Sequence, residues 1–209
     1  IRVLTLDLSQ PDSLSAKADE ALKLFGRIDI LIHSGGISQR SMVIDTDMDV
    51  YRNLMEVDYF STVIITKAVL PSMIQHGGGH IVVISSLAGK FGSPYRSGYA
   101  AAKHALHGFY DSLRAEQHDN GIKVTLVTPG FIKTNVSMNA VDASGDKVNV
   151  MDEAQEKGMS AEACANKIIG ATEQNKLEVL IGGRETMGVY IKRFFPNLFA
   201  SMIRKIKVR

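Results

Sequence analysis

The sequence has little cysteine, almost no net charge and no long apolar run. Cys164 is the single cysteine in 209 residues, which excludes an internal disulfide and fits a reducing compartment such as the cytoplasm. A net charge of +2 gives no reason to expect a nucleic-acid partner. The longest apolar runs have the length of strands, so we expect no segment that spans a membrane.

Two kinds of binding motif are also missing. No glycine-rich turn leads from a strand into a helix, which is where a dinucleotide pyrophosphate usually binds. Residues 77–79 precede a predicted strand and residues 182–183 follow one, so we interpret both glycine runs as plain turns. His, Cys, Asp and Glu occur nowhere at metal-ligand spacing, and we expect no metal site.

What the sequence does have is a regular alternation of apolar runs and helical periods. Strands that are apolar throughout and separated by helices form parallel sheets with both faces covered. The predicted strands are residues 3–8, 29–33, 80–85, 123–128 and 178–181, and the predicted helices are residues 11–25, 47–74, 97–119 and 161–173. We therefore predict a single α/β domain over residues 1–209.

Tyr99 and Lys103 begin one of the predicted helices. Residues four apart lie on the same helix face, so the ammonium lies beside the phenol. A nearby ammonium favours the phenolate, and such a phenol can give or take a proton near neutral pH. Ser86, at the end of the preceding strand, could hold the oxygen being protonated. Tyr-x-x-x-Lys also occurs by chance on many helices, so this spacing alone proves nothing.

Taken together, Ser86, Tyr99 and Lys103 resemble the active-site signature of the short-chain dehydrogenase/reductase (SDR) superfamily. Residues 85–90, Ser-Ser-Leu-Ala-Gly-Lys, are most similar to its hydroxysteroid-dehydrogenase-like branch, which includes the dehydrogenase/reductase member 7 type. The resemblance runs through nearly the whole chain. It implies a Rossmann-type doubly wound sheet and an NAD(P)-dependent oxidoreductase that interconverts a secondary alcohol and a ketone. Ser86, Tyr99 and Lys103 would be its catalytic residues.

The resemblance also implies a binding site for NADP or NAD. Asp7 would accept from the adenine amino group, although an aspartate that merely turns the chain after a strand is the alternative. Residues 33–36, His-Ser-Gly-Gly, stand where the family has Asn-Asn-Ala-Gly beside the adenine ribose, and we interpret His33 as structural. The implied cofactor-binding residues are Asp7, Leu8, Ser34, Gly35, Gly36, Tyr99, Lys103, Pro129, Gly130, Ile132 and Thr134.

Asp58 departs from the family, which usually has an asparagine there that helps to hold a water joining the lysine to solvent. Aspartate has the same shape but carries a charge and only accepts. It could bind such a water as a fourth catalytic residue, pair with Lys103, or be an ordinary helical aspartate. The alternative function is therefore an SDR-fold protein that binds a ligand or partner without catalysis.

In the family's sheet the first predicted strand would be the third, at the far edge. We expect from this that two strands and two helices, about 50 residues or more, precede Ile1. Without them each unpaired buried backbone group of residues 3–8 would cost about 1–3 kcal/mol.

Three further expectations concern substrate and partners. Residues 135–160 are long and polar for a connection, which predicts a lid over the substrate. The substrate would be a small alcohol or carbonyl compound, and only the resemblance implies that it is lipid-like. Helices 47–74 and 97–119 look too apolar for one buried face, which predicts a homo-oligomer, with burial inside one chain as the alternative.

The tail from Tyr190 to Arg209 mixes aromatic side chains with basic ones, which include Lys207 and Arg209. We interpret its apolar side as packing on the domain. Peripheral contact with an anionic membrane, or a position beside a substrate entrance, is the alternative.

Overall fold

The computed structural model describes residues 1–205, and Lys207 and Arg209 lie outside them. Its centre is a four-stranded parallel sheet with the strand order β1-β2-β3-β6. The strands are β1 (Ile30–His33), β2 (Gly79–Ile84), β3 (Ile122–Pro129) and β6 (Glu178–Ile181), while β4 (Ile132–Lys133) and β5 (Met159–Ser160) form a separate parallel pair. The parallel sheet expected from the apolar runs is confirmed for the last four predicted strands.

Helices cover both faces of this sheet. They are α1 (Pro11–Phe25), α2 (Met48–Met55), α3 (Ser61–Gln75), α4 (Ser97–Glu116), α5 (Glu153–Glu156), α6 (Ala161–Glu173), α7 (Met187–Phe194) and α8 (Pro196–Ile203). A π-helical turn, Glu56–Phe60, joins α2 to α3 without a break, so the long helix predicted over residues 47–74 is confirmed in extent. The prediction of residues 161–173 as a helix is also confirmed.

The core is divided by the sheet because successive strand side chains point to opposite faces. Ile81 and Val83 of β2 pack with side chains of α1, α3 and α4 on one face. Val82 packs on the other face with Cys164 of α6 and Ile181 of β6. The β2 and β3 strands are buried on both sides, which is why their sequences are apolar without alternation.

The N-terminal residues do not follow the sequence prediction. Residues 1–7 form no strand, so the strand predicted over residues 3–8 is wrong in this structure. A strand needs a neighbour for its backbone groups, and within residues 1–205 the paired neighbour of β1 is β2 alone. In α1, Leu14 and Ala18 are buried, whereas Phe25 at the end of the helix is 70% exposed.

The helical stretch Met48–Gln75 is long and apolar enough to cross a membrane, with a mean hydropathy of 1.3 in its most apolar window, of which 39% is buried. Core helices of soluble proteins meet the same criterion. Here the stretch packs on α1 and carries buried polar side chains, among them Asp58 and Thr66. Our expectation that no segment spans a membrane stays a prediction.

Residues 135–160 are only partly irregular. They hold turns, the short helix α5 and strand β5, and isolated bridges join Val141 to Gln39 and to Lys147. The backbone N–H of Arg40 donates to the carbonyl of Val141 at 2.8 Å, so this segment lies against the loop that follows β1.

Candidate active site

A cavity of about 680 Å³ lies at the carboxyl ends of the sheet strands. Loops that follow β1, β2 and β3 form its floor, as parallel α/β sheets generally arrange their sites. The cavity brings together most of the residues predicted from the sequence: Ser34, Gly35, Gly36, Ser86, Tyr99, Lys103, Pro129, Gly130, Ile132 and Thr134.

Tyr99 and Lys103 lie next to each other on α4, as their spacing predicts. The Lys103 Nζ is 5.6 Å from the centroid of the Tyr99 ring. Lys103 is 4% exposed, and its ammonium donates to the carbonyl of Ile84 at 3.4 Å. The half-buried Tyr99 ring packs on Val50 and Leu54, which holds it against the cavity wall.

The two serines after β2 do different things. The Ser86 Oγ accepts from the N–H of Ala88 at 3.1 Å and caps a 3₁₀ turn, which leaves its hydroxyl proton for an oxygen in the cavity. The buried Ser85 hydroxyl donates to the carbonyl of Lys103 at 3.2 Å and meets His107 Nε2 at 3.0 Å. Ser85 therefore ties the end of β2 to α4, and Ser86 faces the site.

Asp58 is fully buried in the π-helical turn between α2 and α3. Its Oδ1 accepts from the N–H of Ile37 at 2.7 Å, and its Oδ2 has no hydrogen-bond partner within the described residues. Burial raises the pKa of Asp58, while the charge of Lys103 and the Ile37 N–H act in the opposite direction. A proton on Oδ2 would make this carboxyl an uncharged donor, like the amide that the family has there.

Gly36 separates Asp58 from Lys103. A Cβ at this position would lie 2.6 Å from Asp58 Oδ1 and 3.1 Å from Lys103 Nζ, so a larger residue would collide with both groups. Among the ion pairs of the described chain there is none between Asp58 and Lys103. The direct pairing considered from the sequence is thus not formed.

Asp7 and Leu8 lie outside the cavity lining. The exposed Asp7 carboxylate accepts from the N–H and the hydroxyl of Ser9 at 2.9 Å and 2.7 Å, and these hydrogen bonds, the hydroxyl first, lower the pKa of Asp7. This is the geometry of the chain-turning alternative. Leu8 covers Gly35, whose missing Cβ is the space that the Leu8 side chain occupies.

His33 is a buried structural histidine, as interpreted from the sequence. Its Nε2 lies 2.8 Å from the hydroxyl of Thr66, which in turn meets the hydroxyl of Tyr110 at 2.9 Å. Burial, with a smaller contribution from Lys103, lowers the pKa of His33 to about 4, so the ring is neutral at pH 7. Across residues 1–205, no three His, Cys, Asp or Glu side chains are grouped closely enough to hold a metal ion.

The sequence analysis missed a charged cluster at the cavity. Arg40 Nη2 and Arg96 Nη2 both donate to Asp152 Oδ2, at 2.5 Å and 2.9 Å, and Arg40 Nε donates to the other carboxylate oxygen at 3.3 Å. Gln39 was missed as well; its Oε1 accepts from the N–H of Gly98 at 2.7 Å. No local spacing pattern connects residues so far apart in the chain, so only the folded arrangement shows the cluster.

The opposite wall of the cavity comes from the tail. Met187 and Ile191 of α7 and Phe199 of α8 line it, and the Phe199 ring lies 5.0 Å from that of Phe91. The tail therefore lies beside the cavity, as one of the alternatives from the sequence had it.

A family model for short-chain dehydrogenases matches residues 1–145, well over half of the chain. The chain belongs to the short-chain dehydrogenase family. The resemblance stated from the sequence and the Rossmann-type fold class are both confirmed.

Named relatives of this short-chain dehydrogenase agree with that assignment. The chain is 46% identical over 97% of its length to dehydrogenase/reductase SDR family member 7B of Rattus norvegicus. It is 39% identical over 99% of its length to the SDR family protein 7-like of Drosophila melanogaster. In both comparisons the chain spans 64% of the relative's own length.

Solved structures agree with the fold of this short-chain dehydrogenase. A short-chain dehydrogenase from Streptomyces avermitilis superposes with a TM-score of 0.80 at 27% identity, covering 98% of this chain and 80% of that one. ElxO, solved with NADP bound, has a TM-score of 0.61 at 31% identity over 64% of this chain and 54% of its own.

Proposed function

We propose that the chain forms the active site of an oxidoreductase that uses NADP or NAD to interconvert a secondary alcohol and a ketone. The observation that carries the proposal is the position of the Lys103 ammonium, 5.6 Å from the Tyr99 ring centroid, on the cavity that Ser86 also faces. A phenol with a buried cation beside it, together with a free hydroxyl donor, provides the groups needed to move a proton at a carbonyl or alcohol oxygen.

The residues at the strand ends fit a dinucleotide. Gly35 and Gly36 both line the cavity at the end of β1, where glycine backbone lets a ligand approach closely. On the far side Pro129, Gly130 and Ile132 line the same cavity, followed by the hydroxyl of Thr134. When bound, the nicotinamide supplies the hydride chemistry.

Each catalytic side chain then has one role. The Ser86 hydroxyl donates a hydrogen bond to the reacting oxygen of the substrate. The Tyr99 hydroxyl gives its proton to that oxygen when a ketone is reduced and takes the proton back when an alcohol is oxidised. The Lys103 ammonium stabilises the phenolate that ketone reduction leaves and contacts the cofactor ribose. It also relays a proton between Tyr99 and a water held at Asp58, towards Tyr99 after ketone reduction and away from it after alcohol oxidation.

The side chains that line the cavity indicate the class of substrate. Phe91, Ile191 and Phe199 offer apolar surface opposite Tyr99, which suits an alcohol or carbonyl group on a lipid-like body. Residues 135–160 would cover this substrate as a lid, since Asp152 in that segment is bound by Arg40 and Arg96 at the cavity.

The first test is turnover by the complete protein of a panel of ketones with NADPH and NADH, followed by the nicotinamide absorbance. Reduction of any member of the panel, lost in a Ser86→Ala variant, supports the proposal. Dinucleotide binding without turnover of ketones or alcohols would instead favour the alternative, a protein that binds a ligand without catalysis.

Two departures from the family pattern, Asp58 and Ser34, motivate that alternative. Equilibrium dialysis of NADP and NAD against the folded complete protein also tests it, because a folded protein that binds neither dinucleotide favours this alternative. The homo-oligomer and the cytoplasmic location stay predictions.

A further inference from the structure

The helices α7 and α8 have two sides of different character. One side lines the cavity through Ile191 and Phe199, and the Phe199 ring packs on the ring of Phe91. The other side faces water. There Phe194, Phe195 and Leu198 are 69%, 63% and 53% exposed. Packing on the domain, our interpretation from the sequence, therefore accounts for only part of the apolar side chains.

Basic residues lie among these exposed apolar side chains. Lys192, Arg193, Arg204 and Lys205 are all exposed, and residues 186–205 contain no Asp or Glu. We call the three apolar and four basic residues together the tail surface. Its charge is of one sign, in contrast to the net charge of only +2 for the whole chain.

This composition fits a lipid surface better than water or a second copy of the chain. Aromatic and aliphatic side chains that are flanked by cations enter the boundary between headgroups and acyl chains, and the cations stay with anionic headgroups. Two copies of the tail surface placed face to face would bring eight cations together with no carboxylate between them, which opposes self-association.

We propose that the tail surface binds a phospholipid bilayer that contains anionic lipid. Phe194, Phe195 and Leu198 enter the headgroup boundary, and Lys192, Arg193 and Arg204 contact the lipid phosphates and carboxylates. The other side of the same two helices lines the cavity, so on the bilayer α7 and α8 lie between the cavity and the membrane. Bilayer binding needs no catalysis and does not rest on the proposed function.

The experiment uses vesicles of phosphatidylcholine, with and without phosphatidylserine, and the complete protein. Sedimentation with the vesicles is measured for wild type, Phe194→Ser/Phe195→Ser and Lys192→Gln/Arg193→Gln. Phe25→Ser on α1, where the side chain is also 70% exposed, is the matched apolar control. Arg52→Gln, 71% exposed in its side chain, is the matched basic control.

We expect wild type and both controls to bind vesicles with phosphatidylserine, and each tail double variant to lose about tenfold or more in affinity. Raising the salt concentration should weaken wild-type binding because it screens the cations. Equal binding by wild type and the tail variants would overturn the proposal.

A second readout is local to the tail surface and so is insensitive to any other membrane contact of the protein. An environment-sensitive dye is attached at Leu198→Cys in a Cys164→Ser background, because Cys164 is buried but lines the cavity. Dye fluorescence that rises on vesicles with phosphatidylserine, but not for a dye at Ser144→Cys, supports the proposal. No rise, or a dimer that the Phe194→Ser/Phe195→Ser change converts to monomer, would assign the surface to water or to a second copy.

Dinucleotide binding is measured on the same samples. Wild-type protein that binds NADP or NAD but does not bind the vesicles contradicts the membrane proposal alone. Vesicle binding without dinucleotide binding contradicts the proposed function alone.

Discussion

The side chain of Gln39 accepts a hydrogen bond from the backbone N–H of Gly98, at 2.7 Å, one residue before Tyr99. The first N–H groups of a helix lack intrahelical partners, and Arg96, at the N-cap of α4, provides no side-chain cap. Gln39 is fully buried and supplies that partner from the loop after β1. Its position therefore fixes where the helix carrying Tyr99 and Lys103 begins.

Gln39→Ala should reduce kcat more than it changes KM, because it frees the start of α4 rather than removing a substrate contact. It leaves a buried N–H unpaired, so the free energy of unfolding should also fall by about 1–3 kcal/mol. Steady-state kinetics and urea unfolding measure the two effects. Gln174→Ala, an exposed position at the end of α6, should change neither, and a KM effect alone would refute this positioning role.

Asp152→Asn should be the most destabilising conservative change in the lid segment. It leaves Arg40 and Arg96, 4% and 17% exposed in their side chains, without their counter-charge. Breaking a buried pair from one side costs about 3–5 kcal/mol, which urea unfolding measures. Asp49→Asn, which removes an exposed pair with Arg52, should cost less than about 1 kcal/mol, and similar losses for both variants would contradict this prediction.

The stabilising effect of Asp58→Asn on the folded chain should be larger at pH 7 than at pH 4. Burial raises the pKa of Asp58 in the folded chain, so the folded state binds more protons than the unfolded state just above the ordinary value of 3.8. Wild type therefore loses the stability that protonated Asp58 contributes as the pH rises through that window, whereas the Asp58→Asn variant has no such loss. Thermal unfolding at both pH values measures the difference; an equal effect of the substitution at both would show that Asp58 titrates normally.

His33 should make the protein lose stability in acid. Its folded pKa of about 4 lies below the ordinary 6.5, so the unfolded state binds the proton first as pH falls from 6.5 to 4. The loss by pH 4 is about 3 kcal/mol for this one group. His33→Asn should flatten that part of the pH–stability curve, whereas His118→Gln, at a side chain 85% exposed, should leave it unchanged. Parallel curves for wild type and His33→Asn would contradict the assignment.

The sequence was sufficient for the fold where local pattern and tertiary packing agree. The apolar runs of β2 and β3 are buried on both faces, and Tyr99 and Lys103 meet because helix geometry brings residues four apart together. Residues 3–8 carry a strand pattern too, but a strand forms only where a neighbour offers backbone partners, which no local pattern reveals.

The cluster around Asp152 could not be predicted for a different reason. Arg40, Arg96 and Asp152 lie in three loops with no regular spacing, and each reads in the sequence as an ordinary surface charge. Only the chain path that joins residues 135–160 to the loop after β1 brings them together. The exposed side of α7 and α8 was equally hidden, because periodicity does not tell which apolar side chains find a core.

The most direct measurement of the central claim is the turnover of the complete protein with Tyr99→Phe, beside Tyr190→Phe as an exposed tyrosine control. The phenyl ring keeps its packing on Val50 and Leu54 but has no proton to transfer. We predict a loss of about 10²–10⁴-fold in kcat with dinucleotide binding retained, and no loss for the control. A Tyr99→Phe enzyme that turns over at the wild-type rate would contradict the account.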